Sequence, residues 1–246
     1  MNRLHAMLMD GKSLGSIATA TLKQAAASAQ VAHSSGSPAP SPVPLVEDQL
    51  PHWPNWQRRL TYVLRHPEPA TFCARFEQIF SELAHQVQKF TDNSLLALIQ
   101  LSAEETRFYS ATHAMLVSAV CMTVARDTLR WPEAHTLTLG RAALSMNLSM
   151  SRLQDDLSEQ TTPLTAQQAN EVDQHPEMSV QMLKEFGITD NLWLEAVKCH
   201  HHRAPGKLSE KPLGQQMARL IQRADIFGAR IAPRLNRQPM AFCRAV

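Results

Sequence analysis

Ala70-Thr-Phe-Cys-Ala-Arg-Phe-Glu-Gln-Ile-Phe-Ser-Glu-Leu-Ala-His-Gln-Val-Gln-Lys-Phe90 decides the fold class of this chain. Phe72, Phe76, Ile79, Phe80, Leu83, Val87 and Phe90 recur at steps of three and four, which gathers them on one face of a helix. No stretch of the chain shows a comparable alternation of period two, the mark of a half-buried strand. Only 8 of the 246 residues are glycine and 44% are hydrophobic, which favours helices around a substantial core. The expectation is an all-α domain of seven to nine helices between Leu45 and about Ala232, without a sheet.

The same reading extends in both directions from that stripe. Upstream, Trp56 to Arg65 predicts a helix that stops before His66-Pro67, because proline disfavours helix in the residue before it. Trp53 and Trp56 are expected to anchor the incoming chain. Residues 1–44 form an appendage: Ser13 to Ala32 is rich in Ala, Ser and Thr, and His33 to Pro44 repeats proline. The latter cannot bury apolar surface and is expected to be disordered.

Downstream, Thr91-Asp92-Asn93 predicts a break before a short apolar helix from Ser94 to Leu101. Ser102 with Glu105 reads as a capping box opening a long helix to about Arg130 that carries Tyr109 and His113. Pro132 opens the next helix, which runs through Ala142 into Met146-Asn147-Leu148. Ser149 to Thr162 reads as a short helix and solvated loop holding Asp155 and Asp156. Thr165 predicts an N-cap, His175-Pro176 a restart, and Gly187 a C-terminal stop. Asp190 is expected to cap a helix from Asn191 to His202, and Leu213 to Ile231 forms the last one. Three regions result: 1–44 as appendage, 45–101 as helices packing on the core or on a second copy, and 102–246 as the core domain.

Chemistry concentrates in Lys198-Cys199-His200-His201-His202-Arg203, with His113 and His175 before it and Asp225 after it. Neutral imidazoles with a carboxylate suit one divalent transition metal such as Zn, Mn, Fe or Ni. The inward pair is either His200 and His201 or His201 and His202, and the spacing leaves both open. Charge is uneven along the chain. From Lys198 onward ten Lys or Arg face two acids, whereas Leu45 to Val197 carries eleven against nineteen. A basic segment on an acidic body attracts an anionic ligand or partner, or the two halves attract each other. No interleaved aromatics accompany that basic segment, so a nucleic-acid partner is not expected. Four well-separated cysteines, no apolar run long enough to span a bilayer and a poor signal peptide point to a reduced, cytoplasmic protein without a membrane partner.

The order Tyr109-x-x-x-His113, His175-Pro176-Glu177, His200-His201-x-Arg203 and Ala224-Asp225-Ile-Phe227 resembles the HD-GYP branch of the HD-domain phosphohydrolases. The resemblance covers roughly Arg107 to Arg237 and implies an HD-domain-like helical bundle. It also implies metal ligands at His113, His175, His200, His201 and Asp225. Contacts to ligand would come from Tyr109, His202, Arg203 and Lys207. Two departures matter. Where the family carries its His-Asp pair, this chain has Met146 and Asn147; after Arg203, the glycine-tyrosine-proline loop is replaced by Ala204 to Pro212. A bridging carboxylate shares two anionic oxygens, whereas Asn147 offers one neutral acceptor and Met146 a soft thioether. The resemblance thus implies a degenerate, regulatory or binding module, in cyclic di-GMP signalling with a cyclic dinucleotide or a protein partner. The competing expectation is a working metal-dependent phosphodiesterase with a reduced metal site.

Overall fold

A computed structural model describes residues 52–104, 106–203 and 205–233. The expected appendage 1–44 and the tail from 234 lie outside the described residues, as does Glu105. The described chain is helical and contains no β-strand. Its helices are α1 (Trp53–Arg65), α2 (Phe72–Lys89), α3 (Thr91–Glu104), α4 (Tyr109–Thr123), α5 (Glu133–Ser145), α6 (Ser151–Glu159), α7 (Ala166–Glu185), α8 (Asn191–Cys199) and α9 (Leu213–Ile231). The all-α expectation holds. The described residues from 53 to 233 cluster as one compact unit, and the expected division between Leu101 and Ser102 falls inside α3.

Helix α4 is the axis of the bundle. Of its fifteen residues all but Val120 are buried, so it has no solvent face and packs against α1, α2, α3, α5, α6 and α9. A helix apolar or small on every side belongs in a core. Ala111, Ala114, Ser118 and Ala119 keep its surface low enough for neighbours on all sides, and the Ser118 hydroxyl donates to the Gly140 carbonyl of α5 at 2.9 Å. A Cβ on Gly140 would come within 2.7 Å of the Met122 sulfur and 2.9 Å of Phe80, so α5 requires glycine there for its approach to α4.

Helix α2 buries Phe72, Phe76, Ile79, Phe80, Leu83 and Val87, the stripe read from the sequence, while Phe90 stays 40% exposed beyond its end. Thr165 caps α7 in a reciprocal capping box with Gln168. Gly187, at φ 88°, closes the same helix: its amide bonds the Lys184 carbonyl and the Ile188 amide reaches back to Leu183.

Three expectations are corrected. Ser102 does not start the long helix; it is buried in the last turn of α3, and α4 begins at Tyr109. The cap comes from elsewhere in the chain, because Asp155 accepts the Ser110 amide at 2.7 Å and the Ser110 hydroxyl at 3.1 Å. A carboxylate at a helix N-terminus satisfies free amides and meets the positive end of the dipole. Asp155 therefore belongs to no solvated loop; it is 7% exposed on α6, and its burial raises its carboxyl above the usual range against the Ser110 hydrogen bonds and Arg65. Finally, α7 does not restart at Pro176 but runs through it without interruption.

Candidate metal centre

Helix α7 and the end of α8 bring together histidines that lie far apart in sequence. His175 sits in mid-α7, and His200 directly follows α8. Trp193, Ala196 and Val197 form the buried stripe of α8, and His200 continues it one turn on, fully buried at 0% exposure. His201 is exposed yet packs its ring on both others, with centroids 4.1 Å from His200 and 5.0 Å from His175. One ligand-capable nitrogen from each of His175, His200 and His201 lies within 4.8 Å of the other two. His202 is exposed and stands outside this set, so of the consecutive histidines the two that converge with His175 are His200, buried, and His201, exposed.

Backbone carbonyls set the protonation of the two buried rings. The His175 Nδ1 lies 2.5 Å from the Val172 carbonyl, and the His200 Nδ1 lies 2.6 Å from the Val197 carbonyl. A carbonyl only accepts, so each Nδ1 carries the hydrogen and each Nε2 keeps its lone pair. Those Nε2 atoms face each other at 3.1 Å. Two bare acceptors at that distance repel, and a cation between them removes the repulsion. A proton is disfavoured there. Burial, reinforced by the field of His201, pushes His200 down to about 3, and burial likewise pushes His175 below its ordinary value.

The donor set fits a divalent transition metal. With metal–nitrogen bonds of about 2.05 Å, a 3.1 Å separation corresponds to an angle of about 98°, between octahedral and tetrahedral values. Carbonyl acceptors on the far nitrogens are the outer partners that orient metal-bound histidines. His175, His200 and His201 would supply three nitrogens, with the exposed side of His201 left toward solvent.

His113 and Asp225 stand as a pair of their own. The His113 Nε2–H donates to Asp225 Oδ1 at 2.8 Å, with the His113 ring 3% exposed and stacked on Tyr109 at 5.5 Å. Its Nδ1 is buried without a hydrogen-bond partner, and a Cβ on Gly228 of α9 would stand 3.1 Å from it. Burial raises the Asp225 carboxyl, but the His113 hydrogen bond and the fields of His113, His200 and His201 outweigh it and hold it below the carboxylate range. The pair thus sits within electrostatic reach of the trio. Of the five expected ligands, His175, His200 and His201 form the set of converging nitrogens, and Asp225 Oδ1 bonds His113.

Met146 and Asn147 occupy the turn after α5. Met146 is 1% exposed, packed as a core side chain, and the Asn147 Oδ1 is buried without a hydrogen-bond partner. Two residues on, the Ser149 hydroxyl donates to the His175 carbonyl at 3.0 Å, and its amide donates to Ser179 Oγ at 3.1 Å, tying this turn to α7. Of the residues assigned to ligand contact, Tyr109 is buried beside His113, while His202, Arg203 and Lys207 are exposed on the loop between α8 and α9. That loop is held by Lys211, which donates to the Pro205 carbonyl at 2.5 Å, and Lys207 lies 3.6 Å from Glu210. The sequence places Asp155 in a solvated loop and does not single out the two acceptor carbonyls. Proline directly after His175 was the available signal for one of them.

Comparison with known protein families, with curated proteins and with solved structures finds no match. No helix among the described residues is long and apolar enough to cross a membrane.

Proposed function

We propose that this chain is a degenerate HD-GYP-like module that binds one divalent transition metal through His175, His200 and His201 and acts in regulation or binding, not in turnover. The observation that carries the reading is the contrast between the retained and the missing positions. The three imidazoles converge, with the Nε2 lone pairs of His175 and His200 facing each other, whereas Met146, where a catalytic relative would place a histidine, is sealed in the core. A second ion needs a bridging anion, and Asn147 is neutral. The hydrogen-bonded pair His113 and Asp225 lies within electrostatic reach of the trio. Exposed His202, Arg203 and Lys207 on the adjoining loop favour an anionic ligand, with a cyclic dinucleotide such as cyclic di-GMP or an acidic protein surface as the classes to test.

The test is a paired assay on protein reconstituted with Mn, Fe, Ni or Zn. Hydrolysis of cyclic di-GMP and of bis(p-nitrophenyl) phosphate is expected to stay far below 1 per second, while equilibrium dialysis reports any binding of intact dinucleotide. Metal-dependent turnover near about 1 per second, an ordinary enzymatic rate, would replace this reading with that of an active phosphodiesterase.

A further inference from the structure

Helix α7 contains a proline in its interior, at the residue after His175. In an unbroken α-helix the amide of residue 176 would donate to the carbonyl of residue 172. Proline has no amide hydrogen, and its ring crowds the carbonyl four residues back, so Val172 loses its helical donor. The His175 Nδ1–H takes that place, at 2.5 Å.

The corresponding bond at His200 provides an internal comparison. The His200 Nδ1 reaches back the same three residues, to the Val197 carbonyl at 2.6 Å. Val197 lies in the last turn of α8, which ends at Cys199, where carbonyls run out of helical donors. One ring is thus held by a helix end and the other by a proline, in the same ring geometry. The product is a pair of Nε2 lone pairs 3.1 Å apart.

We propose that Pro176 is a positioning residue for the metal centre. By withholding one amide from α7 it reserves the Val172 carbonyl for His175, fixes the Nδ1–H tautomer and aims the Nε2 lone pair at His200 and His201. The consequence for metal affinity rests on the metal-binding reading given above; the tautomer itself does not. A proline that served only to shape the helix would leave the tautomer indifferent to its replacement by alanine.

The experiment uses the full chain, its Pro176→Ala variant and a third form in which residue 176 is the α-hydroxy acid analogue of alanine. The third form lacks both the ring and the amide hydrogen. Long-range proton–nitrogen correlation spectra of the metal-free proteins read the His175 tautomer, zinc titration reads affinity, and thermal unfolding reads stability. The wild type is expected to show His175 protonated at Nδ1. Pro176→Ala is expected to shift His175 toward the Nε2–H form and to weaken zinc binding by about 10- to 100-fold, the usual effect of losing an outer partner of a ligand. Its unfolding temperature should rise, because the helix regains a hydrogen bond. Affinity and stability therefore move in opposite directions. The hydroxy acid form should restore the wild-type tautomer.

An unchanged His175 tautomer in Pro176→Ala overturns the proposal. A tautomer shift in a chain that binds no zinc even as wild type upholds the positioning role and instead sinks the metal-binding reading. Failure of the hydroxy acid form to restore the tautomer would assign the effect to the ring and overturn the part played by the missing amide.

Discussion

Acidifying the chelator-treated protein from pH 7 to pH 4 will lower its unfolding free energy by about 3 kcal/mol through His200 alone. An exposed histidine takes up its proton near 6.5, whereas burial holds native His200 down to about 3. Between those values the unfolded chain binds a proton that the native chain refuses. Stability is therefore complete above about 6.5 and falls by about 1.4 kcal/mol per unit as the pH drops through the window. His175, also depressed by burial, adds to the loss. Asp225 begins to add to the loss only at the acid end of this range, because its carboxyl is lowered in the native state and the unfolded chain protonates it first, near the ordinary carboxylate value. Asp155 opposes the trend: its raised carboxyl binds a proton in the native state first, which favours folding on mild acidification. Denaturant unfolding at each pH checks the slope, with His200→Asn as the comparison. Superimposable pH profiles for variant and wild type would contradict the buried, neutral state of His200.

The second large effect concerns zinc. Replacing His200 with asparagine will remove stoichiometric zinc binding, whereas His202→Asn will leave it unchanged, since His202 lies outside the set of converging nitrogens. The consequence is visible as linkage. An ion present at 100 times its dissociation constant adds about 2.7 kcal/mol to the stability of the wild type. That increment should vanish in His200→Asn and persist in His202→Asn. Calorimetric titration of both variants beside the wild type checks the expectation. Loss of binding in His202→Asn with retention in His200→Asn would mean that the other histidine pair faces inward.

Much of the scaffold was legible because its determinants are local. The α2 stripe, the N-cap at Thr165 and the glycine at 187 each depend on residues a few positions apart, and each appears where the sequence places it. Ser102 misled because its serine-to-glutamate spacing is locally sound, yet the α4 terminus is capped by Asp155, 45 residues away from Ser110 in sequence. A tertiary partner outweighs a local signal, and no window of sequence contains it. Proline at 176 misled for a different reason. Its usual cost in a helix predicts a break, but the side chain of His175 takes up the freed carbonyl and the helix continues.

The site was legible in its residue types and less so in its grouping. His200 follows Trp193, Ala196 and Val197 at helical spacing, so its inward direction is written into the sequence once α8 is known to run to Cys199. The pairing of Asp225 with His113 is not written there, because it depends on α4 and α9 approaching closely at Gly228.

X-ray absorption at the zinc edge, on the full-length protein loaded to saturation, tests the central claim most directly. The expected result is one zinc per chain with a shell of nitrogen and oxygen donors at about 2.0–2.1 Å, imidazole scattering from three rings, and no metal–metal vector. A second ion at about 3.5–4 Å, the separation of a two-metal hydrolytic site, or a protein that retains no zinc, would contradict it.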